Sequence, residues 1–245
     1  MSDWLMTAPR CVRPEVLDDL DPDDPRALRS RRDLQRVHRA MRSISALKQA
    51  LCRLRLRAPP TRILELGAGD GTLLLRLAAS LRPRWDGVRL TLLDRQQVVS
   101  PDTVDHYRGL GWEVTPVCED VLSWTRQSTR EPYDLCVTTL FLHHFQDLEL
   151  RELLRGVASK SRAFIAIEPR RETLARAGSR LIGLLGANAV TRGDAVKSVD
   201  AGFTGNEISV AWPETEEAWR TEEFRVLPFS HGFIAVRENV RVRHG

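Results

Sequence analysis

An apolar run from Thr61 to Leu66, a turn carrying Gly67, Gly69 and Gly71, and then Leu73, Leu74, Leu77 and Leu81 constrain the fold more than any other stretch of this chain. A short continuous apolar run bounded by glycine reads as a buried strand, and leucines three or four apart read as a helix. Strand, tight turn and helix in that order bring the helix-terminal N–H groups beside any ligand that approaches the turn. Glycine lets the backbone touch such a ligand with no Cβ in between. The spacing is Glu65-x-Gly67-x-Gly69-x-Gly71, and Thr72 stands where a dinucleotide fingerprint needs its third glycine. Glu65 would repel a pyrophosphate and suits a cationic amino-acid group instead.

Beyond this unit the elements alternate. Strand-like segments at Val88–Leu93, Glu113–Cys118, Tyr133–Thr139 and Arg162–Ile167 are separated by helix-like ones. These run over 71–81, from Ser100-Pro101 to Gly109 or Gly111, over Leu148–Val157 and from about Glu172 to Leu185, with a short apolar turn at Val121–Trp124. The alternation predicts an α/β fold with a doubly wound, mostly parallel sheet. Glu207–Trp212 and Gly232–Arg237 read as two late strands with no crossover helix between them, hence an antiparallel hairpin on the sheet edge. Residues 178–205 hold six of the fifteen glycines and read as a partly mobile cover or as a plain surface loop.

The first 58 residues read as a separate helical extension, a lid on a domain spanning 59–245. Pro9, Pro14, Pro22 and Pro25 keep residues 1–25 irregular. Asp24-Pro25 then caps an amphipathic helix, or two abutting ones, with Leu34, Val37, Met41, Ile44, Leu47, Leu51 and Leu54 on one face and a stop at Ala58-Pro59-Pro60. Charge is uneven here despite a net of +4: residues 14–25 hold six acids, including Glu15 and Asp18, while 26–57 hold eleven Lys or Arg against Asp33 alone. The basic stripe is either a footprint for nucleic acid or a solvated helix face. Cys11, Cys52, Cys118 and Cys136 show neither C-x-x-C pairing nor matching His spacing, so neither disulfides nor a metal site are expected. With no run of eighteen apolar residues and no basic-then-apolar start after Met1-Ser2-Asp3-Trp4, the expected location is cytoplasmic and no membrane span is expected.

The E-x-G-x-G-x-G turn resembles motif I of the class I S-adenosylmethionine-dependent methyltransferases. Ligands of open α/β sheets bind at the carboxyl ends of the strands, where strand order reverses. Asp94 ends the second strand, and a carboxylate there accepts bonds from ribose hydroxyls; capping a helix is its rival role. Asp120 follows the third strand and offers an acceptor for the adenine amino group, with Val121 over the ring; helix N-capping is again the rival. Thr138-Thr139-Leu140-Phe141-Leu142-His143-His144 follows the fourth strand and resembles the corresponding segment of small-molecule members. It lacks the N/D-P-P-Y-type tetrad of amino methyltransferases that modify bases. The end of the fifth strand also looks like that of small-molecule members, with Glu168 and Arg170 expected to flank the substrate opening.

The resemblance implies a seven-stranded Rossmann-like sheet whose last strand runs antiparallel. It implies S-adenosylmethionine held by Glu65, Gly67, Ala68, Gly69, Asp94, Arg95, Asp120, Val121, Thr139 and Leu140. His143 or His144 would then accept a proton from a substrate hydroxyl, because imidazole titrates near neutrality. A small acceptor is expected, a phenolic or enolic oxygen of a secondary metabolite with C-methylation as a close variant, and Met41, Ile44 and Leu47 facing it. RNA or protein methylation through the basic helix is the alternative. Thr72 and the closing hairpin disfavour a nicotinamide oxidoreductase.

Overall fold

The structure, a computed structural model, describes residues 9–81, 85–128, 131–181 and 186–238. Among them seven strands form one sheet: β1 (Arg62–Leu66), β2 (Arg89–Asp94), β3 (Glu113–Cys118), β4 (Leu135–Thr139), β5 (Ala163–Pro169), β6 (Trp219–Val226) and β7 (Ser230–Arg237). Their order is β3-β2-β1-β4-β5-β7-β6. The first five strands pair in parallel, and β7 runs antiparallel to both β5 and β6. The doubly wound, mostly parallel seven-stranded sheet is therefore as expected.

The apolar runs explain the layering. Strands buried on both faces need side chains for two cores, so they read as continuous hydrophobic runs. Ile63, Leu90, Val137 and Ile165 face one helical layer, formed by α3 (Ser43–Leu54), α4 (Thr72–Leu81) and α5 (Pro101–Gly109). Leu64, Cys136, Phe164 and Ala166 face the other, which includes α6 (Val121–Arg126), α7 (Asp147–Lys160) and α10 (Glu207–Ala211). A four-residue helix α1 (Val16–Asp19), α2 (Pro25–Ala40), α8 (Thr173–Leu181) and α9 (Ala189–Asp200) complete the described helices.

Several elements differ from the sequence expectation. Glu207–Trp212 is helical: Ile208 and Ala211, three apart, are buried with Trp212, whereas Val210 between them is 59% exposed. The hairpin's first strand is instead β6, whose charged Arg220, Glu222, Glu223 and Arg225 concealed it, since an edge strand tolerates polar residues. Residues 178–205 contain α9, whose N-cap Asn188 accepts from the Thr191 N–H at 2.8 Å. The last positions of the helix expected over 172–185 lie outside the described residues, as does the start of the chain. Val121–Trp124 belongs to a helix rather than a bare turn, and the otherwise irregular first 25 residues include α1. The amphipathic stretch is two helices, α2 and α3, separated by Arg42 in the left-handed region. Helix α3 buries Ala46, Leu47, Ala50 and Leu54 against the sheet, with Ile44 packed on the same core. Ile44 and Leu47 therefore cover the sheet and do not face the cavity described below; Met41 does line it.

Candidate functional site

Strand β1 lies between β2 and β4, so chain order reverses at the β1–β4 boundary. Two turns leave the sheet there side by side, Gly67–Gly69 after β1 and Leu140–His144 after β4. A cavity of about 1060 Å³ opens above them. Its roof is built from residues 12–19, the inner face of α2, and helices α8 and α9. Backbone contacts hold that roof: the N–H groups of Val16 and Leu17 donate to the buried Asp194 carboxylate at 2.9 and 3.0 Å. At the other end of the segment, Arg10 donates to the Phe145 carbonyl at 2.7 Å.

The glycine turn needs glycine for two separate reasons. Gly67 (φ +65°) lies under Phe141, and a Cβ there would come 2.3 Å from the ring. Gly69 (φ +54°) has nothing within 4 Å of where a Cβ would stand, so its face is open to the cavity. Asp94 fixes the turn, accepting from the Gly69 N–H at 2.8 Å and the Gln96 N–H at 2.9 Å. A carboxylate has about four acceptor positions, so two remain toward the cavity. The Ala68 N–H donates to the Leu93 carbonyl at 3.1 Å, tying β1's exit to β2's.

Glu65 is buried beneath this turn, and one of its carboxylate oxygens has no hydrogen-bond partner. Burial, then the neighbouring charges of Asp70 and Asp94, hold its pKa well above the usual carboxylate range. Such a group is costly unless a ligand donates to it. The Thr139 hydroxyl is likewise buried without a partner. Asp120 caps α6, accepting from the Ser123 N–H at 2.9 Å, and also lines the cavity with Val121. Arg95 lines it too, while donating to the Asp18 carbonyl. Leu140 sits in the left-handed region (φ 55°), a strained conformation for a branched side chain, at the start of the second turn.

That second turn is organised from below. Glu168, fully buried, accepts from the Phe141 N–H at 3.0 Å and the Leu142 N–H at 2.9 Å, and its other oxygen lies 2.8 Å from His143 Nδ1. The expectation that Glu168 and Arg170 flank the opening fails. Glu168 is a buried brace because its strand is covered on both faces, and Arg170 is ion-paired to Glu172 outside the cavity lining. His143 Nε2 lies 3.4 Å from Glu15 Oε1, and His144 Nδ1 lies 3.1 Å from Asp18 Oδ2. Burial alone would lower the His143 pKa, but Glu15 and Glu168 outweigh it and raise it to about 9. In turn the histidines overcome burial to hold the carboxyls of Glu15 and Asp18 below the usual range, with Arg95 contributing at Asp18.

All ten cofactor positions and both histidines expected from the sequence line the cavity. Glu15, Asp18 and Gln35 were not anticipated there. Gln35 donates to the Asp70 carboxylate at 2.8 Å, beside the glycine turn. The acidic run was the only trace of Glu15 and Asp18 in the sequence, and nothing linked it to the histidines. The lining carries ten carboxylates against three arginines, a setting that favours a cationic ligand and opposes phosphate.

No protein-family model matches the sequence, and no curated protein matches it. Solved structures do resemble it. The plantazolicin methyltransferase BpumL in complex with SAH superposes with a TM-score of 0.60 at 16% identity, over 88% of this chain and 92% of that one. The plantazolicin methyltransferase BamL, with a desmethylPZN analogue and SAH, gives 0.59 at 15% identity, over 89% and 93%. Magnesium protoporphyrin IX methyltransferase (ChlM) from Synechocystis PCC 6803 with bound SAH gives 0.52 at 16% identity, over 84% and 86%. The chain has the Rossmann-like fold of the class I S-adenosylmethionine-dependent methyltransferases.

Proposed function

We propose that this chain is an S-adenosylmethionine-dependent methyltransferase acting on a small molecule, at a phenolic or enolic oxygen, with methylation of an activated ring carbon as a close variant. One observation carries the cofactor reading: the unpartnered, buried Glu65 oxygen beneath an open glycine face, in a cavity whose charged lining is mostly carboxylate. A cationic amino group is the natural donor to Glu65, Asp94 keeps acceptor positions for ribose hydroxyls, and Asp120 with Val121 suits an adenine. The bound cofactor supplies an electrophilic methyl group complete. The chain's own residues then align the nucleophile, exclude water and manage one proton, and alignment alone is worth about 7–11 kcal/mol in favourable cases.

The histidine turn is where the acceptor's proton is handled. His144 is half-buried on the cavity wall and oriented by Asp18, so it suits direct contact with the acceptor. His143, braced by Glu168, suits positioning of the turn. The structural neighbours named for plantazolicin and for magnesium protoporphyrin support a non-nucleic-acid acceptor, as does the acidic lining. Calorimetry provides the test: S-adenosylhomocysteine should bind one to one and NAD should not. Labelled-methyl transfer to a panel of phenolic and enolic acceptors should then be insensitive to salt. Binding of NAD, or transfer only to RNA with a steep salt dependence, would overturn the reading.

A further inference from the structure

At the acceptor end of the cavity, Glu15, His143 and His144 each bring a potential ligand atom within 4.8 Å of the others. The arrangement around them is more specific than a chance cluster. His143 has Nδ1 held by buried Glu168 at 2.8 Å, while its buried Nε2 faces Glu15 Oε1 at 3.4 Å, too far for a well-made hydrogen bond. His144 Nδ1 lies against Asp18 Oδ2 at 3.1 Å. Two imidazoles, each oriented through one nitrogen by a carboxylate, form the outer shell that metal-binding histidines usually have. The third group, Glu15, is itself held in place, accepting from the Ser198 hydroxyl.

The distances suit a cation. Zinc-class bonds of about 2.1 Å in a tetrahedron put ligand atoms about 3.4 Å apart. His143 Nε2 and Glu15 Oε1 stand at that separation, 3.4 Å. No two of the ligand atoms stand more than 4.8 Å apart, so reaching about 3.4 Å asks for a shift of about 1.4 Å at most, within reach of one torsion of the half-buried His144. Two imidazoles and one carboxylate favour zinc, cobalt, nickel or ferrous iron over magnesium or calcium, which take oxygen ligands. Glu15, Glu168 and Asp18 supply the negative charge that a divalent ion requires.

We propose that Glu15, His143 and His144 form a binding site for one divalent transition-metal cation, with coordination positions left open toward the cavity. The positions left open suit an oxygen of the acceptor, so a cation there would activate the acceptor in place of a bare imidazole. That last role rests on the methyl-transfer reading; the cation site itself does not.

The test is titration of chelator-treated full-length protein with Co²⁺, followed by calorimetry and visible absorbance, alongside an independent titration with S-adenosylhomocysteine. One equivalent of Co²⁺ should bind and give the visible bands of a low-coordinate nitrogen–oxygen site. The variants Glu15→Gln and His144→Ala should each weaken Co²⁺ binding at least tenfold, with S-adenosylhomocysteine affinity and far-ultraviolet circular dichroism unchanged. Asp18→Asn, which keeps all three ligands, should weaken it less. Absence of stoichiometric Co²⁺ binding to the wild-type protein, or binding that survives both ligand variants, overturns the site. Wild-type protein that binds S-adenosylhomocysteine and no cation leaves the function standing and sinks this inference. Protein that binds the cation and no S-adenosylhomocysteine does the reverse.

Discussion

Alanine at Gly67 and at Gly69 separates the two demands on the turn, because the same methyl group meets different surroundings. Both residues have positive φ, +65° and +54°, where an L side chain costs roughly 1–2 kcal/mol. Reduced freedom of the unfolded chain returns about 0.4–1 kcal/mol of that. Gly69→Ala, whose Cβ would find no atom within 4 Å, should therefore lose only about 1 kcal/mol, lowering Tm by roughly 2–4 °C for a chain this long. Gly67→Ala drives its Cβ to 2.3 Å from the Phe141 ring, and overpacking of that kind adds about 1–3 kcal/mol. Its total of about 2–4 kcal/mol should lower Tm by at least about 4 °C. The order reverses for binding. The Gly69 methyl stands where the ligand must lie, and losing one charge-assisted contact of about 1.5–3 kcal/mol weakens S-adenosylhomocysteine by roughly 10–150-fold. Thermal melts and calorimetry on the same samples decide the matter. A folded Gly69→Ala protein with affinity within threefold of wild type would refute the placement of the cofactor. A Gly67→Ala protein no less stable than Gly69→Ala would refute the packing argument.

Three further outcomes follow from the site's electrostatics and from its roof. Glu65 has a raised pKa in the folded state, so folding takes up a proton above the unfolded value of 4.5 and stability falls as pH rises from there. Glu65→Gln should thus melt higher than wild type at pH 8, with a smaller gap at pH 5, yet bind S-adenosylhomocysteine at least about tenfold more weakly. His38, lining the cavity from α2, has its pKa lowered by burial to about 4, so the unfolded chain binds its proton first and stability drops as pH falls from 6.5 toward 4. His38→Gln should flatten that loss by about 1–3 kcal/mol, the upper figure being the full shift and the lower allowing for the ring's partial exposure, measured by urea melts across the range. Asp194→Ala removes the acceptor for the Val16 and Leu17 N–H groups, and losing a cap-like pair of this kind costs about 0.5–2 kcal/mol. Hydrogen exchange in residues 9–19 should then accelerate about tenfold with the sheet unchanged, and unaltered exchange would show that the roof is held elsewhere.

What was legible in the sequence follows from the range of the interactions that make each part. β1, its glycine turn and α4 are contiguous, and their residues need particular types at fixed offsets, so pattern alone reveals them. Asp94, the last residue of β2, and the histidine pair, a few residues past β4, are found the same way because the apolar runs of those strands are plain. β6 is hidden because only Phe224 and Val226 alternate at its end while its first half, in contact with Arg53, is charged and half-exposed, and α10 because five residues cannot display a helical period. Asp120 serves both of the roles weighed for it, since one carboxylate can cap α6 and still face the cavity. Ile44 and Leu47 share a helical stripe with Met41, but the left-handed break at Arg42 turns α3 onto the sheet and leaves Met41 at the cavity. A one-residue backbone reversal of that kind leaves no mark on hydrophobic spacing.

The acceptor side of the cavity shows the limit most clearly. Nothing near His143 and His144 in sequence states their chemistry; Glu168, a strand away, and Glu15 and Asp18, from the far end of the chain, do. The acidic run that read as a charge imbalance in an irregular segment is spent on the cavity wall, where Glu15 meets His143 and Asp18 meets both His144 and Arg95. The segment that covers the cavity therefore also completes its chemistry. If the strap lifts to admit ligands, Glu15 and Asp18 leave with it, and both histidines lose one of the groups that fix them. Closure and activation of the acceptor are then a single event, so strap variants such as Asp194→Ala should slow turnover by more than they weaken cofactor binding. Equal losses in the two would mean that the strap is only a cover.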